Sequence, residues 1–309
     1  MTGKKLFLVL SCLATLPGMA QTEKMIEYVN PFVGTDGYGN VYPGAQIPFG
    51  GIQISPDTDA KFYDAASGYK YNHPTIMGFS LTHLSGTGIP DLGDFLFIPG
   101  TGEMKLEPGT HEEPDKGYRS RYSHEQEWAT PNYYAVKLTD YNVKAEMTSG
   151  LRSGIFRFTF PKSDKAFIMI DMNHTLWQSC EWSNLRMIND STITGYKLVK
   201  GWGPERHVYF TAVFSKKLDG LRFMQDKKPV IYNTSRFRSC NEAWGKNLMA
   251  CLSFNTEQGE IVTVKTSISA VSTDGAMQNM KELDGMTFDE LKAKGEELWE
   301  KELNKYTLE

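Results

Sequence analysis

The chain has 309 residues, 33 of them basic and 37 acidic, for a formal net charge of −4. That balance excludes the basic footprint of a nucleic-acid-binding surface. A composition of 40% hydrophobic and 23% charged residues excludes an intrinsically disordered chain and allows one or two domains with a large core. In chain order, Lys4 and Lys5 precede the apolar stretch Leu6 to Leu16, and Gly18-Met19-Ala20 offers small residues before Gln21. This is the layout of a secretory signal over residues 1–20, so the protein is expected to be exported, periplasmic or secreted. Cys12, inside the apolar run, is a less favoured lipoprotein acceptor. The run is too short to span a bilayer comfortably, and no later segment is apolar enough to cross one.

Residues Asn30 to Gly102 read as loop-rich, with Pro43-Gly44-Ala45 and Pro48-Phe49-Gly50 as turns. No Gly-Lys-Ser/Thr follows these glycines, so they do not form a phosphate loop. The stretch from Gly78 to Asp94 gathers His83, several hydroxyls, glycines and the carboxylates Asp91 and Asp94. It is too polar for a core element, and its glycines let backbone and side chains approach a small polar ligand together. Ser85 lacks the Gly-x-Ser-x-Gly setting of a nucleophile.

From Tyr133 onward the chain predicts short strands: Tyr133–Leu138, Ile155–Phe160, Ala166–Ile170, Val208–Phe214, Leu248–Phe254 and Ile261–Ile268. Ile155–Phe160 alternates apolar and polar residues, the period of a half-buried strand. Regular spacing of such strands predicts a mainly β fold, a large antiparallel β-sandwich. Near the end, Thr287 and Glu290 form a capping box, and Phe288, Leu291, Leu298 and Trp299 fall near helical spacing. The sandwich is therefore followed by a C-terminal helix, weakened by Gly295, whose apolar face is bare unless it folds back. Cys180, Cys240 and Cys251 have no zinc spacing. They can hold one disulfide or be small buried hydrophobes.

Several motifs in order carry a more specific reading. They are Val29-Asn30-Pro31-Phe32-Val33-Gly34-Thr35, Pro43-Gly44-Ala45 through Gly50, Ser55-Pro56-Asp57-Thr58, Ser67-Gly68-Tyr69-Lys70-Tyr71 and Ile76 to Asp94. Glu127-Trp128-Ala129-Thr130-Pro131, Val208-Tyr209-Phe210 and Trp299 with Leu303 follow. Together they resemble the N-terminal domain of glycoside hydrolase family 92 over essentially the whole chain after residue 20. The family consists mainly of exported, calcium-dependent, inverting exo-α-mannosidases. The resemblance implies a β-sandwich over residues 21–275, the start of a helical linker over 276–309, and a large helical barrel beyond. It places the catalytic acid and base in that barrel, so no catalytic residue is assigned here.

The resemblance also nominates substrate-binding residues: Tyr63, Asp64, His83, Asp91 and Asp94. Tyr63-Asp64 stand where family members carry Trp-Asp, an aromatic face and a carboxylate for a sugar; the alternative is a surface turn. His83 either bonds a sugar hydroxyl or is a structural histidine bonded to backbone. Family members carry a second histidine where this chain has Leu81. Asp91 and Asp94 lie too close on one loop to flank a sugar as an inverting pair, and loop-anchoring roles suit them better. Two carboxylates fall short of a calcium shell. Calcium is implied for the full-length family enzyme, and no metal ligand is assigned in this chain. His207 with Glu205, Arg206 and Trp202 shapes a cleft edge or ends a strand with an ion pair. Trp177 and Trp182 are interface aromatics or core. The expected partners are mannose-containing glycans and the helical-barrel domain. A stand-alone carbohydrate-binding sandwich and a truncated or split product are the alternatives.

Overall fold

A computed structural model describes residues 24–60, 65–231 and 241–306. The expected signal segment, Cys12, the pair Tyr63–Asp64 and Cys240 lie outside the described residues. The six predicted strands form, as Tyr133–Leu138, Ser153–Phe160, Ser163–Asp171, Arg206–Phe214, Leu248–Thr256 and Glu260–Ser269.

They belong to two large antiparallel sheets. The seven-stranded sheet runs Ser55–Asp57, Gly78–Ser80, Leu96–Thr101, Ser163–Asp171, Leu248–Thr256, Gly220–Gln225 and Lys228–Pro229 in spatial order. The nine-stranded sheet runs Glu242–Gly245, Ser179–Asn189, Thr192–Lys200, Arg206–Phe214, Glu260–Ser269, Ser153–Phe160, Val143–Ser149, Tyr133–Leu138 and Glu127–Thr130. Phenylalanines from both sheets meet between them. Phe97 lies 4.9 Å from Phe156 and 6.3 Å from Phe210, Phe79 lies 6.4 Å from Phe158, and Phe254 lies 5.4 Å from Phe160. Each buried ring of this kind contributes about 1.5–3 kcal/mol relative to exposure. The architecture is the expected β-sandwich.

The strand Ser153–Phe160 departs from its half-buried expectation. Phe156, Phe158 and Phe160 face the core, but Ile155 on the opposite face is also buried, packed with Leu283, Phe288 and Leu291. The cover comes from the C-terminal elements, helix α1 (Thr273–Asn279) and helix α2 (Phe288–Leu303), which fold back onto the nine-stranded sheet. The boundary expected after residue 275 falls inside α1.

The α2 helix starts at the predicted capping box: Glu290 N donates to Thr287 Oγ1 at 3.3 Å, and Thr287 N donates to Glu290 Oε2 at 2.8 Å. Its far end is tied down twice. Trp299 Nε1 donates to Gln46 O at 2.7 Å, and Glu300 accepts from Met25 N and Ile26 N at 2.9 and 3.1 Å. Gly295 has a packing reason for its place in the helix. A Cβ there would overlap the side-chain amide of Asn132, so the residue that costs helix propensity permits the close approach. Among the described residues no helix is long and apolar enough to cross a membrane.

Candidate ligand-binding site

The polar stretch from Leu81 to Asp94 is a loop whose base is buried and whose tip is exposed. Leu81 N donates to Asp94 O at 2.9 Å and Gly93 N to Thr82 O at 2.8 Å, closing the loop at its neck. Thr82 Oγ1 donates to Asp94 Oδ2 at 2.7 Å and accepts from Asp94 N at 3.1 Å. Leu92 and Phe95 adopt left-handed backbone at φ 73° and 59°, a strain of about 1–2 kcal/mol per residue that surrounding contacts must hold. Those contacts include Leu176 N to Leu92 O at 3.0 Å and Gln178 Nε2 to Pro90 O at 2.7 Å. Residues Leu84, Ser85, Gly86 and Gly88 remain exposed at the tip.

Two buried charge clusters lie beneath this loop. In the first, Asp57 sits between two histidines: His83 Nε2 is 2.8 Å from its Oδ1 and His174 Nε2 is 2.8 Å from its Oδ2. His83 Nδ1 faces the Gln53 carbonyl at 2.8 Å. A carbonyl can only accept, so Nδ1 carries hydrogen there. Burial alone would raise the Asp57 carboxyl, but the two histidines outweigh it and hold the group well below the usual carboxylate range. Gly68, at φ 85°, makes room for this pair, since a Cβ there would overlap Asp57 Oδ1.

In the second cluster Asp94 meets two cations. Lys197 Nζ lies 3.1 Å from Asp94 Oδ1, both side chains being fully enclosed. Arg206 reaches the same carboxylate in a fork, Nη1 to Oδ2 at 2.6 Å and Nη2 to Oδ1 at 3.1 Å. Against the rise that burial alone would cause, Lys197 and Arg206 hold Asp94 well below the usual carboxylate range. Lys197 joins the clusters, because its Nζ also donates to His174 O at 2.6 Å.

The structure thus gathers three of the five nominated residues around one loop. The side chains of His83 and Asp94 are fully enclosed. Asp91 accepts from Leu92 N at 2.6 Å and from Trp202 N at 3.4 Å. Tyr63 and Asp64 lie outside the described residues. The chain that leads away from them comes to the same place, since Ser67 Oγ donates to Asn40 O, which also accepts from Gly86 N at the loop tip.

The loop is flanked by solvent-facing tryptophans, Trp202 at 70% and Trp177 at 54% exposure. Core packing is therefore the wrong reading for Trp177, and for Trp182 at 45%. His207 does pair with Glu205 at 3.2 Å at the strand end, but Arg206 turns inward to Asp94. On one side of the loop, Thr82, Asp94 and Arg206 border a largely apolar groove with exposed Phe49 and Leu151. A separate cleft of about 820 Å³ opens beside His174 and Trp177.

A calcium shell of about 6–8 oxygens does not fit what is present. Asp94 is spent on Lys197, Arg206 and Thr82, and among the described residues no group of three or more His, Cys, Asp or Glu side chains could hold a metal ion. Cys180 and Cys251 are buried free thiols, and burial pushes Cys251 up to about 12.

Asp57, His174 and Lys197 escaped the sequence reading. Lys197 did leave a signal: it shares the parity of Ile193, Gly195 and Val199 in its strand, so the period of two turns it inward. Arg206 likewise shares the inward parity of Val208, Phe210, Ala212 and Phe214. A cation at a core-facing position implies a buried partner.

Comparisons with known proteins bear on what this arrangement serves. Residues 28–269 match the family model described as the glycosyl hydrolase family 92 N-terminal domain. The structure of the family GH92 α-mannosidase from Bacteroides thetaiotaomicron in complex with mannoimidazole is similar at a TM-score of 0.91 and 86% identity. The match covers 93% of this chain and 38% of that one. A GH92 inverting mannosidase from Bacteroides thetaiotaomicron VPI-5482 shares the fold at a TM-score of 0.76 and 23% identity, covering 94% of this chain and 37% of that one. An uncharacterized secreted glycosidase of Arthroderma benhamiae is 29% identical over 142 residues, 45% of this chain and 18% of that protein. The chain therefore spans well under half the length of these relatives.

Proposed function

Because the chain belongs to glycoside hydrolase family 92 and carries that family's N-terminal domain, we propose that it is the substrate-recognition and structural part of an exo-α-mannosidase acting on mannose-containing glycans. The observation that carries this reading is the 86% identity, over 93% of the chain, to an α-mannosidase solved with mannoimidazole. The assembled enzyme is exported, depends on calcium and inverts the anomeric centre. A helical barrel following residues 276–309 supplies its acid, base and metal ligands.

The geometry of the described residues supports that division of labour. Inversion requires an acid and a base on opposite faces of the sugar, with carboxyls roughly 6.5–9.5 Å apart. Asp94 is locked in a buried ion pair with Lys197 and Arg206, and Asp91 is turned onto backbone amides. Neither is disposed to move a proton to or from a substrate. We assign His83 and Asp94 to holding the loop, and the exposed tip around Ser85, together with the segment of Tyr63 and Asp64, to meeting the sugar. Trp202, Phe49 and Leu151 are exposed apolar surface suited to the barrel.

The test is release of mannose from an α-mannoside with calcium present. The chain alone is expected to release none. Adding the complementary C-terminal part of the 86%-identical mannosidase is expected to restore hydrolysis. Enzyme-like release by the chain alone overturns the proposal, as does a failure of the complementary part to restore any activity.

A further inference from the structure

We infer that Asp57 is a positioning residue for substrate recognition: its one buried carboxylate holds both limbs of the loop whose exposed tip is residues 84–88. The role deepens the function proposed above and rests on it, since it presumes that this tip meets the substrate. Asp57 is fully enclosed and touches no substrate, so it acts only through the groups it holds.

The tip carries little of its own to fix it. Gly86 and Gly88 are exposed and have no side chain to anchor, and the backbone of Gly86 donates to Asn40 O at 2.7 Å. Its place is set where the two limbs enter the protein. On the incoming limb stands His83, whose Nε2 is 2.8 Å from Asp57 Oδ1 and whose Nδ1 donates to Gln53 O at 2.8 Å. The outgoing limb, residues 90–92, is gripped from residues 176–178. Leu176 N donates to Leu92 O at 3.0 Å, and Gln178 Nε2 donates to Pro90 O at 2.7 Å. That grip follows directly on His174, which is 7% exposed and whose Nε2 is 2.8 Å from Asp57 Oδ2. Thr175 Oγ1 donates to Gln178 O at 2.7 Å and closes residues 175–178 into one turn, so a shift of His174 carries the grip with it.

The carboxylate has little freedom of its own. Asp57 O accepts from Met77 N at 2.8 Å, and Asp57 lies opposite Gly78 where the strand Ser55–Asp57 pairs with Gly78–Ser80. Gly68 approaches so closely that a Cβ there would overlap Oδ1. Two equivalent oxygens suit the task, because each faces one ring. An amide of the same size does not replace them, since it turns an acceptor to one ring and a donor to the other.

The experiment compares the unsubstituted chain with Asp57→Asn and with Glu146→Gln. The control makes the same change at a buried carboxylate of the other sheet, bonded to Tyr133 and Arg157. In the chain alone, amide hydrogen exchange at both Gly86 and Leu176 is expected to quicken about tenfold or more in Asp57→Asn, and at neither in Glu146→Gln. Kinetics are then read with the complementary C-terminal part of the 86%-identical mannosidase added. Asp57→Asn is expected to raise KM for an α-mannoside about tenfold and to leave kcat within about threefold, because a displaced tip loses binding contacts. A merely structural role lowers kcat through the folded fraction and leaves KM unchanged. His174→Gln frees the outgoing limb alone; it should quicken exchange at Leu176 and raise KM about threefold, and it carries the test if Asp57→Asn does not fold. Exchange that quickens at one limb alone in Asp57→Asn, or a KM unmoved in whichever of the two variants folds, overturns the inference. If the unsubstituted pair shows no hydrolysis, the recognition reading above falls, while exchange at Gly86 and Leu176 still decides whether Asp57 holds both limbs.

Discussion

Phe158 and Asp94 are both completely buried, yet they belong to layers held by different physics. Phe158 stands in the aromatic stack between the sheets, 5.3 Å from Phe156 and 6.4 Å from Phe79. Its stabilisation comes from removing apolar area from water and depends little on pH. Asp94 stands under the loop with Lys197 and Arg206. Its burial is costly until the cations offset it, so the stability of this layer depends on charge. On this difference the sandwich core should tolerate volume-conserving apolar substitution, whereas the loop depends on particular side chains. A pair of charges fixes an orientation that a patch of hydrocarbon does not.

Three measurements can break or sharpen this contrast. The largest effect is expected from Phe158→Ala, a loss of about 3–5 kcal/mol in denaturant unfolding, nearly equal at neutral and acidic pH. Asp94→Asn should cost about 3 kcal/mol at neutral pH, because Lys197 and Arg206 are left uncompensated. That difference should shrink with acid. The folded carboxyl lies below its unfolded value, so its contribution is complete above about pH 4 and is lost as pH falls toward the folded value. A penalty for Asp94→Asn that stays constant down the acid limb would dissolve the distinction between the layers. The smallest effect is expected from Thr82→Val, about 1–2 kcal/mol, since it removes one hydrogen bond to the carboxylate and one acceptor for Asp94 N. An unchanged unfolding midpoint in Thr82→Val, which keeps the side-chain shape, would show that the Thr82 bonds contribute nothing to the loop.

Much of the frame was legible in the residues. Alternation in Ile155–Phe160 and the apolar runs around Ala166–Ile170 and Leu248–Phe254 marked strands, because side chains on a pleated strand alternate faces. Thr287 and Glu290 marked a helix start, because the cap satisfies amides that nothing else in a helix can reach. The stretch from Gly78 to Asp94 stood out as a ligand-type loop on composition alone. Less legible was the inside of that loop. His83 looked equally suited to a sugar and to backbone, and only the fold shows its two nitrogens turned to Gln53 O and Asp57.

The sequence by itself determined the mainly β class, the strand positions, the helix start and the family, because these rest on short-range periodicity and on motifs contiguous in the chain. Tertiary structure alone decided which charged residues would share one buried site. Asp57, Asp94, His174, Lys197 and Arg206 come from five separate segments, and their pairing depends on the order in which strands join the two sheets. It also decided that Ile155 is covered, that Gly295 must admit Asn132, and that Trp177 and Trp202 face solvent. The reason is physical. Local patterns report which face of an element is apolar, but what lies against that face is set by contacts between residues far apart in the chain.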